Sequence, residues 1–231
     1  MDVSQRSDNI NPSATLSITA KASQLQEDGV DVVNFGAGEP DFDTPDVVKQ
    51  AGIEAIENNF TRYTAASGHP DLKQAIVDKI ERDQELTYEK DQVSVGCGAK
   101  HVLFNLMGTL LDPGDEVIVP SPYWVSYPNQ IRYFDGTMVN VDTTSNQFVP
   151  DPGSIQQKIS GHTRAILVNS PSNPTGAVIP ENTLRKIGEL CVENDLILIS
   201  DEIYEKLIYG EQSHRSPAQL SEAIHDQTVI V

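Results

Sequence analysis

Residues Ala165-Ile-Leu-Val168 run directly into Asn169-Ser-Pro-Ser-Asn173-Pro-Thr-Gly176, and Leu196-Ile-Leu-Ile199 runs into Ser200-Asp201-Glu-Ile-Tyr204. Four apolar residues in succession, bounded by turn-formers, predict a strand covered on both faces. In an open parallel sheet, ligands bind just beyond the carboxyl ends of the strands. Asn173, Asp201 and Tyr204 are therefore expected to converge on one site. Three polar groups meeting in a buried place need a partner to satisfy them.

The pattern alternates on either side of these two stretches. A helix is expected over 15–26, a short strand over 30–34, and a helix opening at Pro45 with Thr44 as its cap. A helix over 70–85 would carry Leu72, Ala75, Ile76, Lys79 and Ile80 on one face. Strands are expected at 92–95, 116–119, 137–141, 164–168, 196–199 and 228–231. Helices follow Lys100 and span 124–133 and 180–194. Strands that are apolar throughout, alternating with helices, predict an α/β fold with three layers and a doubly wound, mainly parallel sheet. The turn-rich stretch Phe35-Gly-Ala-Gly38-Glu-Pro-Asp-Phe42-Asp-Thr-Pro45 is where the chain is expected to pass between lobes. It separates an N-terminal arm and small-domain segment, residues 1–44, from a large domain, residues 45–231.

The 231 residues are 38% hydrophobic and 22% charged, an ordinary balance for a globular protein. A net charge of −18 provides no basic stripe to neutralise phosphates, which argues against a nucleic-acid partner. The acidic excess reads as a well-solvated surface. A saline habitat would also produce it, but nine of the sixteen basic residues are Lys, which gives that reading little support. No apolar run approaches the about 18 residues that a membrane span needs. The start, Met1-Asp-Val-Ser-Gln, lacks a signal-peptide pattern. Two isolated cysteines, Cys97 and Cys191, form neither a disulfide framework nor a metal set. Cys191 falls on the apolar face of its helix as a small core residue. A reducing, cytoplasmic setting is expected.

Three features carry chemistry. Gly96-Cys-Gly98-Ala99-Lys100 lies between a strand and a helix, where free backbone N–H groups and the helix dipole favour an anion. A plain tight turn accounts for the two glycines equally well, and His101 stands where a dinucleotide fingerprint would have its third Gly. Trp124 is the only tryptophan; core packing and stacking on a planar ring suit it alike. Asp201 follows four apolar residues, so burial should raise its pKa unless a cation is near. It could cap a following turn, or hold a proton on a heterocyclic nitrogen.

Taken together, the chain resembles the fold-type I, pyridoxal-phosphate-dependent aminotransferases of class I/II, and in particular the bacterial and archaeal aspartate aminotransferase subgroup. The motifs that carry the resemblance are Ala37-Gly38-Glu-Pro-Asp-Phe42, Tyr63, Gly98-Ala99-Lys100, Pro113-Gly-Asp115, Ser121-Pro-Tyr-Trp124, Asn169-Ser-Pro-Ser-Asn173-Pro-Thr-Gly176 and Ser200-Asp201-Glu-Ile-Tyr204, in the family's order. The resemblance implies a pyridoxal 5'-phosphate cofactor. The Gly98, Ala99 and Lys100 amides would hold its phosphate, and Trp124 would stack on its ring. Asp201 would pair with the ring nitrogen, making the ring an electron sink. Asn173 and Tyr204 would bond its phenolic oxygen. Tyr63 would reach the phosphate in the neighbouring subunit of a homodimer. The Gly38 backbone, Trp124 and the Asn173 side chain would bind substrate, an amino acid or 2-oxoacid, with aspartate and 2-oxoglutarate the family pair.

The resemblance also implies a Schiff-base Lys in a Ser-x-x-Lys stretch beyond Val231, and this chain is expected to be the amino-terminal portion of a longer enzyme, inactive alone. Lys100 would be committed to the phosphate end and Lys206 is too near Asp201 in sequence to replace that Lys. Relatives that accept dicarboxylates often carry a cation where this chain has Asn11. A lyase of the same fold, or a non-catalytic module binding the cofactor or dimerising, would use the same ring-holding residues.

Overall fold

The computed structural model describes residues 4–8, 10, 14–36, 38–40 and 42–231. Asn11 and two positions of the first motif, Ala37 and Asp41, lie outside the described residues. The chain divides into two compact units, Asn11–Ala66 and Met1–Ile10 with Ser67–Val231.

In the first unit, α2 spans Ala14–Glu27 and α3 spans Asp46–Glu57; a one-turn helix, α1 (Gln5–Asp8), belongs to the other unit. Pro45, not Thr44, occupies the N-cap of α3, with no side-chain cap bond. Its ψ of 141° is extended, so the helix starts one residue later than expected. Asp46 sits in the first turn, where the helix dipole favours it. No strand forms over 30–34. An extended segment becomes a strand only by pairing, and this one is tied back to α2 by Val30 N–H donating to the Leu25 carbonyl.

The second unit holds α4 (Pro70–Gln84), α5 (Ala99–Leu110), β1 (Glu116–Ser121), α6 (Ser126–Tyr133), β2 (Thr137–Asp142), α7 (Pro152–Gln156), β3 (Thr163–Asn169), α8 (Glu181–Asn194), β4 (Ile197–Asp201), α9 (Glu222–Gln227) and β5 (Thr228–Ile230). The five strands form one parallel sheet in the order β2-β1-β3-β4-β5. The expected strand at 92–95 is absent: Lys90–Gln92 is a 3-10 turn, and Val95 donates a single bond to the Ser67 carbonyl. The face of α4 also differs. Lys73, Val77 and Gln84 are its buried residues, while Leu72 is exposed.

Alternation along the strands builds two cores. Ile118, Ile166, Val168 and Leu198 face Leu184, Ile187 and Cys191 of α8 and Ile224 of α9. Val117, Val119, Ala165, Leu167 and Ile199 face Leu103 and Met107 of α5 and Tyr127 and Ile131 of α6. The result is three layers, helix, sheet and helix, as the uninterrupted apolar strands require. Cys191 is fully buried, and its thiol is pushed up to about 12 by that burial. Among the described residues no helix is long and apolar enough to cross a membrane.

Candidate active site

The strands set the site by their register. In β3 and β4, Asn169 and Asp201 are paired neighbours at the carboxyl ends. The Asn169 amide donates to the Asp201 main-chain carbonyl at 2.9 Å, and its Oδ1 accepts the Asn173 N–H at 2.7 Å. These bonds fold the loop after β3 back over the end of β4. Asn173 Nδ2 lies 3.5 Å from the Tyr204 hydroxyl, at the outer limit of a hydrogen bond.

Gly98, Ala99, Lys100, Trp124, Asn173, Asp201 and Tyr204 all line one cavity of about 270 Å³, with Tyr127, Asn169 and Ile203 completing its wall. Seven of the nine sequence-derived candidates thus come together. Gly38 and Tyr63 belong to the other compact unit, where both are exposed.

Gly98 caps α5 with φ 82° and ψ 163°, a conformation open essentially to glycine alone. That geometry leaves the N–H groups of Ala99 and Lys100 at the start of a twelve-residue helix without acceptors among the described residues. Gln130 of α6 donates to the Lys100 carbonyl at 2.9 Å and ties this first turn down. The Lys100 side chain is not confined to the turn: its ammonium stands 5.0 Å from the centroid of the Trp124 ring.

Asp201 is 3% exposed and has no ion-pair partner among the described residues. Burial pushes its carboxyl above the ordinary value, and the neighbouring Glu202 charge adds to this. The Tyr127 hydroxyl, donating to Oδ2 at 2.6 Å, and the Ile203 N–H, donating to Oδ1 at 3.3 Å, act in the opposite direction. Tyr127 is itself buried, and meets Trp124 edge to face at 5.5 Å. Sequence reasoning missed Tyr127. Its signal was the three-residue spacing from Trp124 at the mouth of α6, but nothing local announced a partner 74 positions away.

A buried carboxyl with no ion-pair partner among the described residues, an indole wall and helix N–H groups without acceptors suit a flat ring that carries a cation on one edge and an anionic arm.

A parallel α/β fold with a cavity at its strand ends defines the class of protein. Residues 30–231 match the family described as aminotransferase class I and II, and the chain belongs to it. It is 45% identical to the aspartate aminotransferase of Bacillus subtilis (strain 168), covering 100% of this chain and 59% of that protein. It is 47% identical to that of Geobacillus stearothermophilus over the same shares, 100% and 59%. The solved aspartate aminotransferase from Thermus thermophilus with maleate superposes with a TM-score of 0.95 at 44% identity, covering 100% of this chain and 59% of that one. The chain spans about three fifths of the length of these relatives.

Proposed function

We propose that the whole protein is a pyridoxal-phosphate-dependent aminotransferase that passes an amino group between an L-amino acid, aspartate first, and 2-oxoglutarate. The observation that carries this reading is Asp201, a buried carboxyl with no ion-pair partner among the described residues, in the wall of a cavity that also holds an indole and helix amides without acceptors. Bound there, the cofactor would supply an electron sink for the charge that develops at the substrate Cα. The chain's own residues would do the holding. The Gly98 N–H donates to the Gly96 carbonyl at 2.9 Å, so of the three expected amides those of Ala99 and Lys100 would take the phosphate. Trp124 would face the ring, and Asp201 would keep the ring nitrogen protonated. Asn173 and Tyr204 would bond the ring oxygen, with Asn173 and the Gly38 backbone touching the substrate carboxylate. Tyr63, exposed on its own unit, would serve the neighbouring subunit of a homodimer in a cytoplasmic setting. Residues 1–44 would form the arm and small-domain segment, and 45–231 the cofactor-binding domain.

Residues 1–231 alone would bind the cofactor without transaminating. Lys206 is engaged with Asp83 at 2.9 Å, Lys79 with Glu205, and Lys73 with Ser67, and the Lys100 ammonium covers the indole. The test is a titration with pyridoxal 5'-phosphate, reading the fluorescence of Trp124, the single tryptophan. Quenching is expected, and its loss in Asp201→Asn; no quenching overturns the reading. With aspartate and 2-oxoglutarate, residues 1–231 should show no turnover, and borohydride should attach no cofactor to Lys100 or Lys206. The longer protein should convert pyridoxal phosphate to pyridoxamine phosphate. Ammonia and pyruvate in its place would make it a lyase.

A further inference from the structure

We propose that Tyr127 is the positioning residue of this site: its phenol fixes the Asp201 carboxylate at the cavity wall and its ring backs the Trp124 indole. The proposal rests partly on the cofactor reading above, because it assigns Tyr127 the task of holding both groups that would hold the ring.

The geometry is specific. The 2.6 Å bond from the Tyr127 hydroxyl to Asp201 Oδ2 lies in the range of a charge-assisted O–H···O⁻ contact. The Tyr127 ring is 1% exposed and locked in the core beneath β1 and β3, so the donor cannot swing away. The Tyr127 and Trp124 rings meet edge to face at 83°, an arrangement that the ring quadrupoles favour. One side chain therefore joins α6 to the end of β4 and sets the indole at the same time. Burial and the Asp201 charge hold the phenol above its ordinary value of 10.0, so it stays a donor throughout the working range of pH.

The groups around the carboxylate are few. From its own segment come Glu202, whose charge opposes ionisation, the Ile203 N–H, which favours it, and Tyr204. From α6 comes Tyr127, and from α5 the Lys100 ammonium over the indole. Tyr127 is the side-chain hydroxyl among them that bonds the carboxylate directly. Removing it leaves burial and Glu202 opposed by one backbone N–H alone.

The test is Tyr127→Phe, which keeps the ring and deletes the oxygen. In ¹³C NMR of the carboxyl carbons, with Asp201 assigned by its absence in Asp201→Asn, the titration midpoint should rise by about one pH unit. Tyr133→Phe, on the same helix but packed on Phe104 and Phe134, should leave it in place. A merely structural Tyr127 would lower the unfolding midpoint and leave the carboxyl titration unmoved, and that result overturns the proposal. Pyridoxal 5'-phosphate, followed by Trp124 quenching, should bind about tenfold more weakly to Tyr127→Phe; equal affinity and an equal pH profile overturn the proposal as well. If the unmutated chain does not bind pyridoxal phosphate, the cofactor reading falls, and the carboxyl titration still decides the role of Tyr127. Should Tyr127→Phe fail to fold, the unmutated chain should show a deshielded, exchange-protected hydroxyl proton that Asp201→Asn removes. Its absence from the unmutated chain, or its persistence in Asp201→Asn, overturns the proposal.

Discussion

Asp201 sets binding against stability within one side chain. Its carboxyl is raised from the ordinary 3.8 chiefly by burial, so the fold favours the protonated form. The stability this contributes is fully present below the ordinary value and is lost as pH rises through the raised one. At neutral pH the uncompensated charge is a cost, and Asp201→Asn should therefore raise the thermal midpoint of the chain at pH 7. The gain should shrink as pH falls towards 4, in calorimetric scans across that range; a lower midpoint at pH 7 would contradict it. The same variant should lose pyridoxal phosphate, the trade expected where a site holds a strained or unpaired group. Gly98 makes a second such point. Its φ of 82° with ψ of 163° belongs to a region that side chains avoid. Gly98→Ala should cost about 1–3 kcal/mol in urea unfolding, though a Cβ there would touch nothing within 4 Å. From sequence, two glycines in this turn were compatible with any tight connection, because a sequence shows where glycine is placed and not which φ it must take. Asp201, Asn173 and Trp124 were legible for another reason: each follows an apolar strand, and a strand's end has a fixed place in a parallel sheet.

Elements carried more of that legibility than their edges did. The three inner strands, β1, β3 and β4, are buried through their middles, and continuous apolar runs announce such strands without a partner being known. The stretches 30–34 and 92–95 have the composition of strands but lack a ladder, since pairing is a tertiary fact. On α4 the apolar residues Leu72, Ala75, Ile76 and Ile80 mark a face, yet Lys73 and Val77 are the ones buried midway along it. The C-terminal end of that helix turns out to be committed to a polar network that no periodicity reveals. Glu202, 4% exposed, accepts from Ser200 and Ser216 through Oε1 at 2.8 and 2.7 Å, and from Gln84 through Oε2 at 3.0 Å, with His214 Nε2 at 2.8 Å from the same oxygen. Lys79 pairs with Glu205, and Gln219 donates to the Gln84 carbonyl at 2.7 Å. The network pins α4 and residues 214–219 to the back of the segment whose front carries Asp201 and Tyr204. A carboxylate is an acceptor on every side, whereas an amide turns N–H groups towards donors. Glu202→Gln is therefore expected to cost about 2 kcal/mol in urea unfolding with the far-ultraviolet dichroism unchanged. A change within about 0.5 kcal/mol would mean that the hydroxyls simply reverse.

At the scale of the whole molecule the largest number is the charge. Thirty-four acidic residues face sixteen basic ones, and most of the acids are on the surface, so the folded chain concentrates repulsion that the expanded chain relieves. Close pairs such as Arg185–Glu181 and Lys206–Asp83 relieve it locally, but exposed pairs are each worth little. What remains is long-range and therefore open to screening. The Debye length falls from about 30 Å at 0.01 M salt to about 8 Å at 0.15 M and about 3 Å at 1 M. The first spans a domain, and the last is shorter than the gap between most surface charges. Sodium chloride should accordingly raise the thermal midpoint of this chain steeply between about 0.01 and 0.15 M and more gently above, with the same course in potassium chloride. If the midpoint falls over the low range, attractive pairs outweigh the net repulsion and the acidic surface is better compensated than its sum implies. A rise that begins only above about 0.5 M would belong to the salting-out of apolar surface, leaving the −18 charge without measurable influence on the fold.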